Sequence, residues 1–130
     1  MNCLIVEDDA TGLALLERYL KPFGKITTAV DGLQAVQAFR DAVERGESFQ
    51  FVCLDIMLPG MDGQHVLREM RAIEKERGFT EHTAARIVMT TALDDKENLL
   101  EAIAMCDAYL VKPIHMSDLM FYLQRFGLAR

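Results

Sequence analysis

Four apolar runs in this chain end on residues that carry charge or a hydroxyl. Cys3 to Val6 leads into Glu7-Asp8-Asp9, Phe51 to Leu54 into Asp55, the run through Met89 into Thr90-Thr91, and Ala108 to Val111 into Lys112. Carboxylates with no histidine or cysteine beside them form a hard, all-oxygen donor set, the kind that suits Mg²⁺, with Mn²⁺ able to substitute. Like charges crowded in one place repel: two unit charges about 4 Å apart cost on the order of 4 kcal/mol at an effective dielectric near 20. A divalent cation or a lysine is needed to hold them, and Lys112 can supply that charge. A strand-end threonine can donate its hydroxyl to an incoming oxyanion. Taken singly, each residue has a plainer reading. An aspartate after a strand is most often a cap or turn former, Thr91 a solvated strand end, Lys112 a surface charge and Tyr109 a packing residue at a sheet edge.

These residues meet only if the fold gathers strand ends. Cys3 to Val6 reads as a strand. The helical pattern that follows it to Leu20 has Gly12, Leu16, Tyr19, Leu20 and Phe23 on one apolar face and Leu13 on its flank, with Pro22 and Gly24 closing it. Lys25 to Val30 has the β-branched character of a second strand, and Asp31-Gly32 turns the chain. Leu33 to Arg45 predicts a helix facing inward through Leu33, Val36, Phe39, Ala42 and Val43, stopped by Gly46. The third strand, Phe51 to Asp55, is ended by Pro59-Gly60. A third helix carries Val66, Leu67, Met70 and Ile73 inward to about Gly78. The polar stretch Phe79 to Ala85 exceeds the usual loop length of about five residues and is expected to be a flexible or partner-reading insert. Arg86 to Thr91 is a fourth strand. Asp94-Asp95 opens a fourth helix to about Cys106, Ala108 to Val111 is a fifth strand, and Ser117 to Phe126 is the last helix.

Strands alternating with helices, the strands nearly all apolar, predict an α/β domain: a doubly wound parallel sheet with helices on both faces. In such sheets ligands sit beyond the strand C-termini. The rim there carries Glu7, Asp8, Asp9, Asp55, Thr90, Thr91 and Lys112.

Composition bounds the rest. With 130 residues, the chain is long enough for one domain, spanning residues 1–130, that buries roughly 70% of its unfolded surface. A net charge of -6 opposes nonspecific binding to nucleic acid or an anionic membrane and points to a protein partner. Cys3, Cys53 and Cys106 are an odd set, two of them in predicted strands, which argues for buried thiols in a reducing cytoplasm rather than a disulfide framework. No run approaches the roughly 20 apolar residues of a membrane span.

The acidic pair, the isolated aspartate in Asp55-Ile56-Met57-Leu58-Pro59-Gly60-Met61-Asp62-Gly63, the Thr91-Ala92 step and Tyr109-Leu110-Val111-Lys112-Pro113 follow in an order that resembles the receiver domain of two-component response regulators. The resemblance covers essentially the whole chain. It implies the flavodoxin-like strand order 2-1-3-4-5. It also implies that Asp55 is the phosphoacceptor and Asp8 a direct Mg²⁺ ligand. Glu7 would act through water, and the Met57 backbone carbonyl would complete the protein's share of the metal shell. Thr91 resembles the switch hydroxyl, Tyr109 the switch aromatic and Lys112 the phosphate-neutralising lysine, with a cis peptide before Pro113.

The implied partners are a sensor histidine kinase or phosphotransfer protein as donor and an unidentified output protein. Output would pass through the surface of the fourth helix, fifth strand and last helix, by contact or by homodimer formation. Met57 and Leu93 stand where the family tunes access of hydrolytic water. Both are apolar, which predicts slow self-dephosphorylation. Two departures stand out: Met105-Cys106-Asp107-Ala108 replaces a turn that usually carries Gly-Ala, and the loop after the third helix is long. On the last helix, Leu119, Tyr122, Leu123 and Phe126 share one face, while Phe121 projects opposite and Met120 flanks it. Phe121 and Met120, with Leu13, are the candidate partner surface. His65, His82 and His115 read as surface residues.

The leading reading is a stand-alone, phosphorylation-activated switch that is not a turnover enzyme. A receiver cut from a larger regulator would look the same. A phosphorylation-independent interaction module is opposed by the complete acidic and basic set. A phosphatase resembling the haloacid-dehalogenase group would want an acid two residues after the nucleophile, where Met57 stands.

Overall fold

The computed structural model describes residues 1–92 and 104–130. The elements run β1 (Asn2–Val6), α1 (Ala10–Leu20), β2 (Lys25–Ala29), α2 (Gly32–Glu44), β3 (Phe51–Asp55), α3 (Gly63–Glu76), β4 (Arg86–Thr91), β5 (Ala108–Val111) and α4 (Met116–Arg125). The five strands form one sheet, all pairs parallel, in the order β2-β1-β3-β4-β5. The expected fourth helix opening at Asp94-Asp95, and Leu93 before it, lie outside the described residues. Where description resumes, Ala104 to Cys106 are turn and bend, so the helical expectation does not extend to Cys106.

Strand alternation splits the core in two. Leu4, Val52, Leu54, Ile87 and Met89 point to one face and pack on Phe39 of α2 and Val66, Leu67, Met70 and Ile73 of α3. Cys3, Ile5, Phe51, Cys53 and Val88 point to the other and pack on Leu16 and Leu20 of α1 and Leu119 and Leu123 of α4. Fully burying a side chain of this size stabilises by about 1.5–3 kcal/mol, so the two apolar layers fix the register of every strand. Burial also holds Cys3 and Cys53 as thiols, pushing Cys3 up to about 11 and Cys53 higher still. Cys3 and Cys53 are both buried free thiols.

Helix starts follow the sequence closely. Asp9, Asp31 and Asp62 each cap a helix by accepting the backbone N–H three residues on, from Gly12, Gln34 and His65. Gly63 is required by close approach. A Cβ there would collide with the Asp55 carbonyl and lie 2.6 Å from Ile56 Cα, so only glycine lets α3 start against the end of β3.

Two expectations need correction. Leu33 does not face inward: it is 72% exposed, because α2 starts at the buried Gly32 and the next residue turns away from the sheet, leaving Ala35 and Phe39 on its inner face. Val30 lies past the end of β2 and is exposed. The stretch Phe79 to Ala85 is tied in at its base. The buried Glu74 carboxylate accepts the Ala85 N–H at 2.7 Å and Arg71 Nη1 at 2.8 Å, and Arg71 also donates to the Ala85 and Met105 carbonyls. Arg71 and Arg86 further bind Asp107, whose carboxylate accepts the Ile87 N–H as well. Asp107 therefore ties α3, β4 and the segment before β5 into one charge-balanced clamp.

Asp107→Ala leaves the Ile87 N–H and two guanidinium groups short of an acceptor. Chemical denaturation should show a loss of about 2 kcal/mol, within the range for unsatisfied, mostly buried groups. A loss below about 0.5 kcal/mol would show that the clamp contributes little.

Candidate functional site

Ile5, Cys53, Val88 and Ala108 face one another across β1, β3, β4 and β5, and all four belong to the same buried layer. Two residues further along each strand, side chains return to that face. The next row is therefore Glu7, Asp55, Thr90 and Leu110, with Asp55 paired to Thr90 and Thr90 to Leu110. An apolar row thus gives way, in one step, to a polar one at the C-terminal edge of the sheet.

Lys112, just past β5, reaches back over this row. Its Nζ donates to Asp55 Oδ2 at 2.9 Å and to Glu7 Oε1 at 3.2 Å, and lies 3.0 Å from Glu7 Oε2. Asp55 Oδ1 accepts the Met57 N–H at 3.1 Å. Glu7 Oε1 also accepts the Asp9 N–H, whereas Glu7 Oε2, although buried and close to Lys112, has no hydrogen bond of good geometry. Glu7 and Asp55 are buried and Asp8 is exposed. Ligand oxygens of these three carboxylates lie within 4.8 Å of one another.

Three carboxylates and one ammonium leave the cluster with an excess of negative charge. Burial pushes the Glu7 carboxyl above the ordinary glutamate value; the hydrogen bond from Lys112 opposes this and the Asp55 charge adds to it. Burial works to lower Lys112, but its bonds to Asp55 and Glu7 outweigh that and hold it above the ordinary lysine value. The donor set is hard and anionic, and one buried carboxylate oxygen lacks a directed bond. Those residues fit a small divalent cation with oxygen preference, which would relieve the repulsion that a single lysine only partly offsets.

The remaining sequence-derived residues fall around this centre. Asp9 turns away from it to cap α1. Thr91 is buried and its hydroxyl donates to the Ala92 carbonyl at 3.0 Å. Met57 is 52% exposed beside Asp55, and Tyr109 is exposed on β5. The Lys112–Pro113 peptide is cis. Leu13 and Met120 are half-buried against the α1/α4 layer, while Phe121 is 55% exposed, its ring edge-to-face with Tyr122 at 5.1 Å. His65, His82 and His115 are exposed.

A parallel doubly wound sheet with carboxylates and a lysine converging at its C-terminal edge defines a class of α/β domains that handle anionic groups at that edge. Within that class, a family profile for the response regulator receiver domain matches residues 3–124, and the chain belongs to that family. Among curated relatives, it is 35% identical over 122 residues to the regulatory protein VanRB of Enterococcus faecalis, covering 92% of this chain and 49% of the relative. The sensor protein GacS of Pseudomonas syringae is 32% identical over 111 residues, which cover 85% of this chain and 12% of GacS. The chain thus spans half or less of the length of these relatives. The receiver domain of sensor histidine kinase PA1611 from Pseudomonas aeruginosa, with a magnesium ion coordinated in its active site cleft, superposes with a TM-score of 0.78 at 31% identity, covering 97% of each chain.

In metal-free protein, Glu7 holds its proton to a higher pH when folded than when unfolded. The stability that protonated Glu7 contributes is therefore full below the ordinary glutamate value and is lost as pH rises through the raised folded value. Thermal melts in chelator should show a flatter acid-side pH profile for Glu7→Gln than for the wild type. Identical profiles would mean that Glu7 ionises without strain.

Proposed function

We propose that the chain is a phosphorylation-controlled signalling switch, one receiver unit over residues 1–130, in which Asp55 accepts a phosphoryl group from a phosphohistidine. The carrying observation is the Lys112 ammonium held 2.9 Å from Asp55 Oδ2 inside a cluster with Glu7 and Asp8. An Asp55 oxygen attacks phosphorus in line with the leaving nitrogen. The O–P bond forms as the P–N bond breaks, and the P–N electron pair departs with the donor's imidazole. The product is an acyl phosphate.

Lys112 needs no large movement to face the new phosphoryl oxygens and offset their charge. Asp8, Asp55 and the Met57 carbonyl would hold Mg²⁺ directly and Glu7 through water; bound there, the cation would supply charge compensation to the carboxylates and the transferred group. Thr91 exchanges its bond to the Ala92 carbonyl for one to a phosphoryl oxygen, and Tyr109 moves inward behind it. That repacking changes the surface carrying Tyr109, Met120 and Phe121, through which an output protein or a second copy reads the state.

The donor is a histidine kinase or phosphotransfer protein. In support, the solved receiver domain of the yeast regulator Ssk1, in complex with the histidine phosphotransfer protein Ypd1, has a TM-score of 0.81 at 26% identity, over 98% of this chain and 88% of the other. Among the described residues no helix is long and apolar enough to cross a membrane, and we read the chain as working in the cytosol. It is a switch and not a turnover enzyme, returning to rest by hydrolysis of its own acyl phosphate.

Incubation with Mg²⁺ and acetyl phosphate should add one phosphoryl group by intact mass in the wild type and none in Asp55→Asn. No adduct from any donor would favour a passive interaction module. With apolar Met57 two residues beyond Asp55, the adduct should persist for minutes or longer after donor removal, and a lifetime of seconds would overturn that expectation. Phe121→Ser should weaken partner capture or self-association only in the phosphorylated state.

A further inference from the structure

Thr90 is the one member of the polar row that the proposed chemistry leaves without a task. It is 1% exposed, and its Oγ1 is one of two buried side-chain polar atoms among the described residues with no hydrogen-bond partner; the other is Glu7 Oε2, in the same row. Thr90 stands directly beside Asp55 on the neighbouring strand, about 4.8 Å away across the sheet and on the same face. In strand order, β4 lies between Lys112 on the β5 side and the carboxylates on β3 and β1, so the lysine side chain crosses the end of β4 to reach them.

A buried hydroxyl without a partner costs folding free energy, and at rest Asp55 takes its hydrogen bonds from Lys112 and the Met57 N–H instead. Phosphorylation changes the local supply of donors. When Lys112 follows the phosphoryl oxygens, the Asp55 carboxyl loses the donor it has at rest, and its other resting donor is the Met57 N–H. The Thr90 hydroxyl, on the register partner of Asp55, has no bond to give up in replacing it.

We propose that Thr90 is a positioning residue for the phosphorylated state: its hydroxyl, unpaired at rest, donates to the carboxyl of phosphorylated Asp55 and frees Lys112 for the phosphoryl group. This rests on the reading of Asp55 as phosphoacceptor. The hydroxyl then disfavours the resting state and favours the phosphorylated one, a sign reversal that ordinary packing would not produce.

The test uses the full chain as wild type, Thr90→Val and Thr90→Ser, with beryllofluoride and Mg²⁺ as an equilibrium stand-in for the phosphoryl group. Without the analogue, Thr90→Val should melt no lower than wild type. With it, Thr90→Val should bind roughly three- to tenfold more weakly, the size of one hydrogen bond, and Thr90→Ser should restore wild-type binding. Equal binding by wild type and Thr90→Val, failure of serine to restore it, or a lower melting point of Thr90→Val without the analogue would each overturn the role. Intact-mass phosphorylation by acetyl phosphate separates the two readings. An adduct on wild type with unchanged Thr90→Val binding sinks only the Thr90 inference, and no adduct and no beryllofluoride binding on wild type sinks the Asp55 reading and this one with it.

Discussion

The structure depends on one ammonium group held among carboxylates. Lys112 lies within 3.2 Å of oxygens on both Glu7 and Asp55, two buried acids on adjacent strands. Neither acid can be relieved by water from below, because the row beneath them is Ile5, Cys53, Val88 and Ala108. Among the described residues the stabilising charge comes from above, where Lys112 arrives from the far side of β4. Removing it would leave two acids facing each other in a medium where their repulsion is several-fold larger than in water. The site is therefore held together and short of positive charge, which is the condition under which a cation is drawn in.

The two ends of the sheet make the comparison instructive. At the N-terminal end of β4, Arg71 and Arg86 meet Glu74 and Asp107, two positive groups with two negative, and every carboxylate there accepts hydrogen bonds from backbone as well as from guanidinium. Such a cluster is satisfied and has no reason to change. At the C-terminal end, among the described residues, Glu7, Asp8 and Asp55 face one ammonium, that of Lys112, and Glu7 Oε2 and Thr90 Oγ1 lack directed partners. Balanced charge fastens elements together, whereas unbalanced charge beside unpaired polar atoms leaves a site able to take up a charged group. Both ends are polar, but only one has chemistry left to do.

The sheet, its parallel sense and the gathering of Glu7, Asp8, Asp55, Thr90, Thr91 and Lys112 at one edge were legible because each depends on local pattern: apolar runs, their alternation and the turns that end them. The strand order came from family resemblance, and the pairings bear it out. Leu33 was misread because hydrophobic spacing alone does not say where a helix starts. Asp31 as cap sets the phase of α2 and turns its first apolar residue outward. The Asp107 clamp could be noticed as an unusual residue before β5, but not explained. Its partner Arg71 lies 36 residues away, and only the tertiary fold brings a surface-like arginine of α3 under that turn.

The clamp also bears on how a change at the site could reach the surface. Arg86 pairs with Asp107 and sits over the Phe126 ring at 5.6 Å; Phe126 stacks on Tyr122, and Tyr122 meets the exposed Phe121 edge-on. The segment before β5 and the outer face of α4 are thereby joined through packed rings and one ion pair. Contiguity of this kind says which pieces move together, and a coupling claim needs an element with two arrangements besides. Thr91, whose hydroxyl donates to the next carbonyl, and Tyr109, exposed on an edge strand, are the residues proposed above for that role. A rearrangement starting at Thr91 would then carry β5 relative to a body that Asp107 holds fixed. In a chain with glycine at that turn, the same signal would have a softer frame to push against.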